Sequence, residues 1–324
     1  MNRCVYATDH WGIHDERWMA ALTAVGFTPV AVSRDHGDPN DFRAKVEAAS
    51  WDGGDWSPIL AGPLHSVTQT LVGTSARLVG LSWGYDIPAL PDLHWLTRLD
   101  GLIVDSHANT QTVMNAGVNT DVITFLPWGV DLEMFSSRGP RASFSNIPEE
   151  ATILLSLRAH EPSYRVGDII DAFAILAFQA HDLHLVVGHS GSLTSSLKSQ
   201  AKDLGIRDRV HFIGTVTEAD IAELMRRSRC YVSASEVDGT SVTLLQAMAC
   251  GTPVVVSDIE GNRGWVTEGV TGHLFRCANV EHLAEALLRS LADSSTTMAA
   301  RVLVEREADW HANIARLRPA LAGS

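Results

Sequence analysis

The sequence contains few cysteines and no long apolar run, and each absence limits what the protein can be. Its four cysteines, Cys4, Cys230, Cys250 and Cys277, lie far apart and form no Cys-x-x-Cys pair, so neither a disulfide framework nor a zinc site is indicated. No apolar run approaches the roughly 20 residues of a membrane span, and the first residues lack the apolar core of a signal peptide. These absences predict a cytoplasmic protein with reduced thiols.

Positive charge is also scarce. The chain has 25 Lys and Arg against 38 Asp and Glu, for a net charge of −13. Residues 1–136 hold 7 basic and 16 acidic side chains, so most of the excess lies in the first half. A nucleic-acid partner normally requires a basic face, and so does a strong membrane-docking surface. The charge therefore argues against both partners.

The hydrophobic pattern predicts an α/β fold. Short apolar, β-branched runs alternate with helical patterns, and this alternation is typical of parallel sheets that are covered on both faces. The predicted strands are residues 4–8, 29–33, 58–61, 78–83, 102–105, 122–126, 153–157, 185–188, 210–214, 231–234 and 253–257. At 324 residues the chain is long enough for two such domains.

A polar pause in this rhythm predicts the domain boundary. We expect a Rossmann-like domain over residues 1–136, a linker over 137–150 and a second Rossmann-like domain over 151–296. A C-terminal helix over 297–324 is expected to pack back towards the first domain. Open α/β sheets bind ligands at the carboxyl ends of their strands, so the active site is expected in a cleft between the domains.

The most informative segment is residues 233–258, which parse as strand, loop, helix and strand. Thr240 or Ser241 is suited to cap the start of the helix, and Gly251 is suited to end it. The free N–H groups at a helix start, together with the helix dipole, attract a diphosphate. Gly239, Thr240 and Ser241 are therefore predicted donor-binding residues.

The same segment resembles a known family. Residues 247–255 read Ala-Met-Ala-Cys-Gly-Thr-Pro-Val-Val, which is similar to a run in the family 4 retaining glycosyltransferases of GT-B fold. That fold has two Rossmann-like domains whose parallel sheets face each other across a cleft. The family places seven residues between two glutamates, and here those positions are Asp238 and Gln246. The resemblance implies that Asp238 lies near the donor sugar and that Gln246 holds the ribose hydroxyls. The alternatives for Gln246 are a capping box with Thr243 and an ordinary polar position on the helix.

The resemblance extends to the cations that hold the donor diphosphate. Arg158 ends a predicted strand, as the arginine of the family does, whereas Tyr164 stands at the position of the family's lysine and Arg165 follows it. Charge builds up on the departing diphosphate, so cations are needed there. Arg158 and Arg165 are the candidates, with a solvated surface charge as the alternative for Arg165. Gly188 and Gly214 match turn glycines of the family.

The first strand-to-helix turn lies where relatives carry a Gly-Gly loop, of which only Gly12 remains here. His10, His14 and Asp15 are predicted to orient an acceptor hydroxyl. The alternative for Asp15 is a helix-capping role, and the alternative for either histidine is simple exposure.

Two further strand ends in the first domain carry polar or aromatic side chains. His65 resembles a family histidine that faces the reacting sugar, and it is predicted to bond a donor-sugar hydroxyl. Trp83, Tyr85 and Asp86 are of the types that stack on and hydrogen-bond sugars, so they are predicted acceptor contacts. The alternatives are a packed loop for these three residues and a structural role for His65. The resemblance is strongest over residues 209–275 and loosest before residue 101.

The resemblance implies a retaining, metal-independent transfer of a sugar from a nucleoside-diphosphate sugar to an acceptor hydroxyl, with no cofactor. A small molecule is the acceptor that we favour. We find no Asp-x-Asp pair at a predicted strand end. One alternative is a sugar-nucleotide epimerase or hydrolase on the same fold, since a fold does not fix a reaction. The other is a non-catalytic nucleotide-sugar binder, suggested by Asp238, Gln246 and the missing lysine.

Overall fold

The computed structural model describes residues 2–34, 39–84 and 86–323. The chain forms two compact units. The first comprises Met1–Trp128 together with Trp310–Ser324, and the second comprises Gly129–Asp309. Each unit is an α/β sandwich around its own sheet, so the α/β class predicted from the alternating pattern is confirmed.

The sheet of the first unit has six parallel strands in the order β2-β1-β3-β4-β5-β6. The strands are β1 (Asn2–Thr8), β2 (Phe27–Ser33), β3 (Ile59–Ala61), β4 (Leu78–Leu81), β5 (Gly101–Val104) and β6 (Ile123–Phe125). The helices are α1 (Ile13–Ala24), α2 (Pro39–Ser50), α3 (Gln69–Leu71), α4 (Asp86–Ala89) and α5 (His107–Asn115). Strands β3, β4 and β5 are buried along their whole length, as expected for apolar runs covered on both faces.

The sheet of the second unit also has six parallel strands, in the order β12-β11-β10-β7-β8-β9. The strands are β7 (Thr152–Ser156), β8 (Leu183–Gly188), β9 (Val210–Gly214), β10 (Cys230–Ser233), β11 (Val254–Ser257) and β12 (His273–Phe275). The helices are α6 (Val166–Ala177), α7 (Thr194–Asp203), α8 (Glu218–Arg227), α9 (Val242–Ala249), α10 (Glu260–Arg263), α11 (Val280–Ala292) and α12 (Thr296–Glu307). Two apolar clusters cover the two faces of this sheet.

Residues 137–150, expected as a linker, are held within the second unit. The backbone N–H of Ala142 donates to the carbonyl of Glu223 at 3.1 Å, and Ile147 is buried in the same apolar cluster as Leu155. Arg227 donates to the carbonyls of Glu149 and Ala151. These contacts explain why the boundary between the two units falls earlier, at Trp128.

The C-terminal segment, expected as one helix, is divided into three. Helix α12 lies in the second unit, whereas α13 (Trp310–Ile314) and α14 (Leu317–Ala322) lie in the first. The break follows from a backbone contact that the helical pattern did not show: Val130 N–H donates to the carbonyl of Ala308 at 2.8 Å, next to a β-bridge between Val130 and Asp309.

An aromatic cluster joins α13 to the first unit. The ring of Trp310 lies 5.5 Å from that of Trp18 and 6.0 Å from that of Trp128, nearly parallel to the latter. The guanidinium of Arg17 lies 4.0 Å from the centre of the Trp310 ring, which is a cation–π contact. Asn313 donates to the carbonyl of Pro127. Among the described helices, none combines the length and the apolar character that crossing a membrane would require.

Candidate functional site

The strand order of each unit marks the place where a ligand is expected to bind. In the second unit the chain leaves β7 towards β8 on one side, and β10 is the neighbour of β7 on the other side. In the first unit β1 stands in the same way between β2 and β3. Open α/β sheets bind ligands outside the carboxyl ends of the strands at such switch points. The loops that follow β7 and β10, and those that follow β1 and β3, are therefore the candidate site loops.

At the switch point of the second unit, Arg158 follows β7 and Asp238 lies in the loop after β10. Nη2 of Arg158 is 2.7 Å from Oδ2 of Asp238, and both side chains are largely buried. Nη1 of Arg158 donates to the hydroxyl of Ser241 at 3.0 Å, and the guanidinium lies 4.3 Å from the centre of the Tyr164 ring. Burial raises the pKa of Asp238, while Arg158 opposes that shift.

Helix α9 begins beside this ion pair. Ser241 is its N-cap residue, since its side chain accepts the N–H of Leu244. Because Ser241 is the N-cap, Thr243 and Gln246 do not form the capping box considered as an alternative. The hydroxyl of Thr243 lies 2.8 Å from that of Tyr231 and 3.2 Å from that of Ser241. The start of α9 thus presents N–H groups, the hydroxyl of Ser241 and the guanidinium of Arg158 at one end of the sheet.

Two buried polar atoms next to this helix start lack a partner. Gln246 is 3% exposed and Thr240 is 9% exposed, and within the described part of the chain neither Oε1 of Gln246 nor Oγ1 of Thr240 has a hydrogen-bond partner. Buried polar atoms are nearly always hydrogen-bonded in folded proteins. A ligand with hydroxyl groups would satisfy the acceptor on Gln246.

Arg165 is engaged by acidic side chains. Its Nε donates to Asp168 at 2.7 Å and its Nη1 donates to Glu236 at 2.7 Å. The residue itself has a left-handed backbone, with φ of 46°, at the start of α6. The positive charge of Arg165, which the sequence analysis assigned to binding of the donor diphosphate, is therefore paired with two carboxylates of the protein.

Glycines shape the loops around the switch point. A Cβ at Gly188 would overlap the side chain of Leu157, and Gly214 has a φ of +72° while its carbonyl accepts the N–H of His189. Gly239 lies in the loop that carries Asp238. Sequence reasoning missed Gly261, whose Cβ would overlap the carbonyl oxygens of Asp238 and Gly239. The signal for Gly261 is a glycine inside a short helix, where that residue is otherwise unfavourable.

At the switch point of the first unit, Asp15 organises the loop after β1. It is buried and accepts the hydroxyl of Tyr6 at 2.9 Å and the N–H of Gly12 at 2.7 Å. These bonds match the capping alternative considered for Asp15, because Gly12 is the residue before α1. The carboxylate of Asp15 therefore bonds to groups of the protein itself.

The two histidines of the same loop region are exposed. The His14 ring lies 5.8 Å from the ring of Trp83, edge-on, and 5.1 Å from that of Trp128. Partial burial against these rings, followed by the charge of Arg17, lowers the pKa of His14. His10 lies before His14, in the loop after β1. His14 and Trp83 are thus brought together, whereas Tyr85 lies outside the described residues.

His65 and Asp86 are brought together from the ends of β3 and β4. Nδ1 of His65 lies 3.3 Å from Oδ1 of Asp86, and the His65 side chain is 51% exposed. Asp86 is fully buried, and its Oδ2 accepts the N–H groups of Leu64 and Trp83, each at 3.0 Å. Asp86, predicted as an acceptor contact, therefore faces three protein donors.

Within the described residues, no group of three or more His, Cys, Asp or Glu side chains is placed to hold a metal ion.

Comparison of the fold shows its class. The structure of Anabaena HepE in complex with UDP and glucose superposes with a TM-score of 0.76 over 100% of both chains, at 15% sequence identity. At that identity the likeness shows the fold, and the two six-stranded parallel units are those of the GT-B fold. Residues 141–308, just over half of the chain, match the family of glycosyl transferases group 1, and the chain belongs to that family.

Two curated relatives show how far the sequence similarity extends. A phosphatidyl-myo-inositol mannosyltransferase of Mycobacterium leprae is 29% identical over 221 residues, which cover 67% of this chain and 57% of that protein. An N-acetyl-alpha-D-glucosaminyl L-malate synthase of Bacillus anthracis is 30% identical over 147 residues, which cover 45% of this chain and 38% of that protein. The matched part of the chain thus spans about half the length of these relatives or less.

Proposed function

We propose that the protein is a retaining, metal-independent glycosyltransferase that uses a nucleoside-diphosphate sugar as donor and a hydroxyl as acceptor. The observation that carries the proposal is the arrangement at the start of α9. There the guanidinium of Arg158 bonds to the N-cap residue Ser241 on the helix that carries the buried Gln246, whose Oε1 has no hydrogen-bond partner among the described residues. Family membership and the UDP named with Anabaena HepE support a nucleotide-sugar donor.

The diphosphate is proposed to bind between Arg158 and the first turn of α9. A helix start attracts anions through its free N–H groups and its dipole, and Arg158 adds a full charge that is held in place by Ser241 and Tyr164. In this arrangement the chain's own groups would stabilise the charge of the departing diphosphate, with no cofactor and no metal bridge.

The nucleoside and the sugar are proposed to extend from the diphosphate in opposite directions. Oε1 of Gln246 would accept a ribose hydroxyl, which would give that buried atom the partner it lacks. Asp238 would accept a hydroxyl of the donor sugar once the diphosphate has taken its place beside Arg158. In the first unit, His65 would bond another sugar hydroxyl, and the exposed His10 and His14, together with the half-buried Trp83, would contact the acceptor.

Retention is proposed to arise from attack on the face that the diphosphate leaves. The bond from the anomeric carbon to the diphosphate oxygen breaks, and the acceptor oxygen bonds to the same carbon from the same side. The departing oxygen takes the acceptor proton. This step requires no nucleophile from the protein. The names of the relatives suggest L-malate and phosphatidyl-myo-inositol as acceptors to test first, and we favour a small molecule.

The test is thermal unfolding in the presence of UDP-, GDP-, ADP- and TDP-sugars. A ligand at 100 times its dissociation constant adds about 2.7 kcal/mol of stability, so we expect a clear rise in Tm with the sugars of one base. Arg158→Ala should abolish the rise. Arg306→Ala, which removes an exposed arginine paired with Glu307, is the matched control and should keep it.

Transfer itself is then measured with the donor that binds, and the anomeric configuration of the product is read by NMR. A product with the configuration of the donor supports retention, and an inverted product contradicts it. A rise in Tm without transfer to any acceptor would favour a non-catalytic binder, which agrees with the engagement of Arg165 by Asp168 and Glu236. No rise with any donor contradicts the proposal.

A further inference from the structure

We propose that Asp86 is a positioning residue that holds His65 in the tautomer with its proton on Nδ1, so that Nε2 accepts a hydrogen bond from a substrate hydroxyl. The proposal rests on the proposed function for the role of His65 towards a sugar. It assigns to Asp86 a task that differs from contact with an acceptor, and it identifies which nitrogen of His65 does the binding.

The first step is the position of Asp86 between two strand-end loops. The residue is fully buried at the start of α4, while His65 lies in a single π-helical turn, Leu64–Thr68, directly after β3. Strands β3 and β4 are neighbours in the sheet. One carboxylate therefore reaches both the turn that carries His65 and the loop after β4.

The second step is the division of labour between the two carboxylate oxygens. Oδ2 accepts two backbone N–H groups, those of Leu64 and Trp83, each at 3.0 Å. A backbone N–H group can only donate, so these two groups fix the orientation of the carboxylate. Oδ1 is then left to face Nδ1 of His65 at 3.3 Å. Because a carboxylate oxygen accepts, Nδ1 must donate.

The third step is the consequence for the other ring nitrogen. In a neutral imidazole only one nitrogen carries a proton, so a proton on Nδ1 leaves Nε2 with a free lone pair. The ring is 51% exposed, and its Nδ1 edge lies against a fully buried group. The exposed part is therefore the edge that carries Nε2. A hydroxyl that approaches the ring from solvent meets an acceptor.

The turn beneath His65 is held in place as well. The hydroxyl of Thr68 donates to the carbonyl of Ala61 at 2.6 Å, and the N–H groups of Val67 and Thr68 donate to the carbonyl of Pro63. Together with the bond from the Leu64 N–H to Asp86, these bonds fix the backbone of the turn, so the orientation of the His65 ring depends on its contact with Asp86.

The substitution Asp86→Asn tests this directly, because an amide has only one acceptor atom. The two backbone N–H groups of Leu64 and Trp83 require the amide oxygen, so the NH₂ group must face His65. Nδ1 then has to accept, and the proton moves to Nε2. We expect the ¹⁵N signals of His65 to show a protonated Nδ1 in the native protein and a protonated Nε2 in D86N.

Turnover provides the second readout. In D86N the exposed nitrogen no longer accepts, so kcat should fall about tenfold, the equivalent of one hydrogen bond. KM for the nucleotide-sugar should stay within about twofold, because the proposed diphosphate site at Arg158 and the start of α9 is unchanged in this variant. Asp92→Asn is the control: that carboxylate also accepts a backbone N–H, from His94, on the same unit, and the variant should leave the tautomer and kcat unchanged.

Two results would overturn the proposal. One is a native His65 whose proton resides on Nε2, a measurement that holds even if D86N does not fold. The other is a folded D86N in which the tautomer of His65 remains that of the native protein. A protein that shows the expected tautomers but transfers no sugar contradicts the proposed function and leaves the positioning of His65 by Asp86 supported, so the two failures are distinguishable.

Discussion

Arg158 forms an ion pair with Asp238, whose Oδ2 lies 2.7 Å from its Nη2. The arginine comes from the end of β7 and the aspartate from the loop after β10. The ion pair occupies the position at which a diphosphate is proposed to bind. An incoming diphosphate would thus have to compete with Asp238 for the same guanidinium.

This competition predicts that Asp238→Asn binds UDP, or the diphosphate of whichever base is used, about tenfold more tightly than the native protein, because the charge of Arg158 is no longer shared. Calorimetry with the free nucleotide measures it. Sugar transfer should fall in the same variant, because the amide is a weaker acceptor for a sugar hydroxyl. Asp258→Asn, which removes an exposed carboxylate paired with Arg263, is the control for a general charge effect. Unchanged or weaker nucleotide binding in D238N would contradict the competition.

Gly261 predicts a second effect on the same loop. A methyl group there would push against the carbonyl oxygens of Asp238 and Gly239, and forcing extra atoms into a packed site costs about 1–3 kcal/mol. We expect Gly261→Ala to lower Tm and to weaken nucleotide binding about tenfold. Gly264→Ala is the matched control, because its Cβ would meet only the carbonyl of Gly261, at 3.9 Å. Equal behaviour of the two variants would show that the space around Gly261 is not limiting.

The packing of the Trp310 ring predicts that this side chain stabilises the first unit. Its ring is largely buried between Trp18, Trp128 and Arg17, and truncating such a side chain to alanine costs about 3–5 kcal/mol. Urea unfolding of Trp310→Ala should show this loss in the free energy of unfolding. The control is Phe178→Ala, which removes an aromatic ring that is 85% exposed and should change stability by less than about 0.5 kcal/mol. A loss below 1 kcal/mol for Trp310→Ala would mean that α13 contributes little to the unit.

Three histidines of the second unit predict how stability depends on pH. Burial lowers the pKa of His160, His184 and His211, and the ring nitrogens of His184 and His211 lie 2.9 Å apart. Each lowered pKa means that the unfolded chain binds a proton more readily than the folded one. Their contribution is therefore complete above the ordinary histidine pKa of about 6.5 and is lost as the pH falls below it.

Urea unfolding between about pH 8 and about pH 5.5 measures this dependence, and the free energy of unfolding should decrease towards the acid end. His211→Gln removes one titrating group together with the repulsion from its neighbour, so its decrease should be shallower than that of the native protein. A stability that is flat or rises on acidification would contradict the direction of all three shifts.

The apolar periodicity was enough to predict both sheets, because strands buried on two faces leave continuous runs such as that at residues 153–157. It was also enough to place Arg158 at a strand end and Ser241 at a helix start, since both follow from local signals. Strand β12 was missed because its three residues, His273–Phe275, are too few to show a period.

Partners that are distant in sequence were out of reach of the same reasoning. The sequence does not show that Asp86 bonds to Leu64 and His65, 22 and 21 positions away, or that Arg165 pairs with Glu236, 71 positions away. Such contacts depend on which loops the sheet order brings together. The residue types alone suggested that these side chains bind a ligand, whereas tertiary packing determines the partners that they contact in the protein.

The return of α13 and α14 to the first unit has a consequence for synthesis. Residues 129–309 form a continuous unit, whereas the first unit needs residues from both sides of that stretch. During synthesis, all residues of the second unit are therefore added before Trp310, whose ring packs against those of Trp18 and Trp128. Domains generally fold as units while the chain emerges, so we expect the half that is made first to be the half that is finished last.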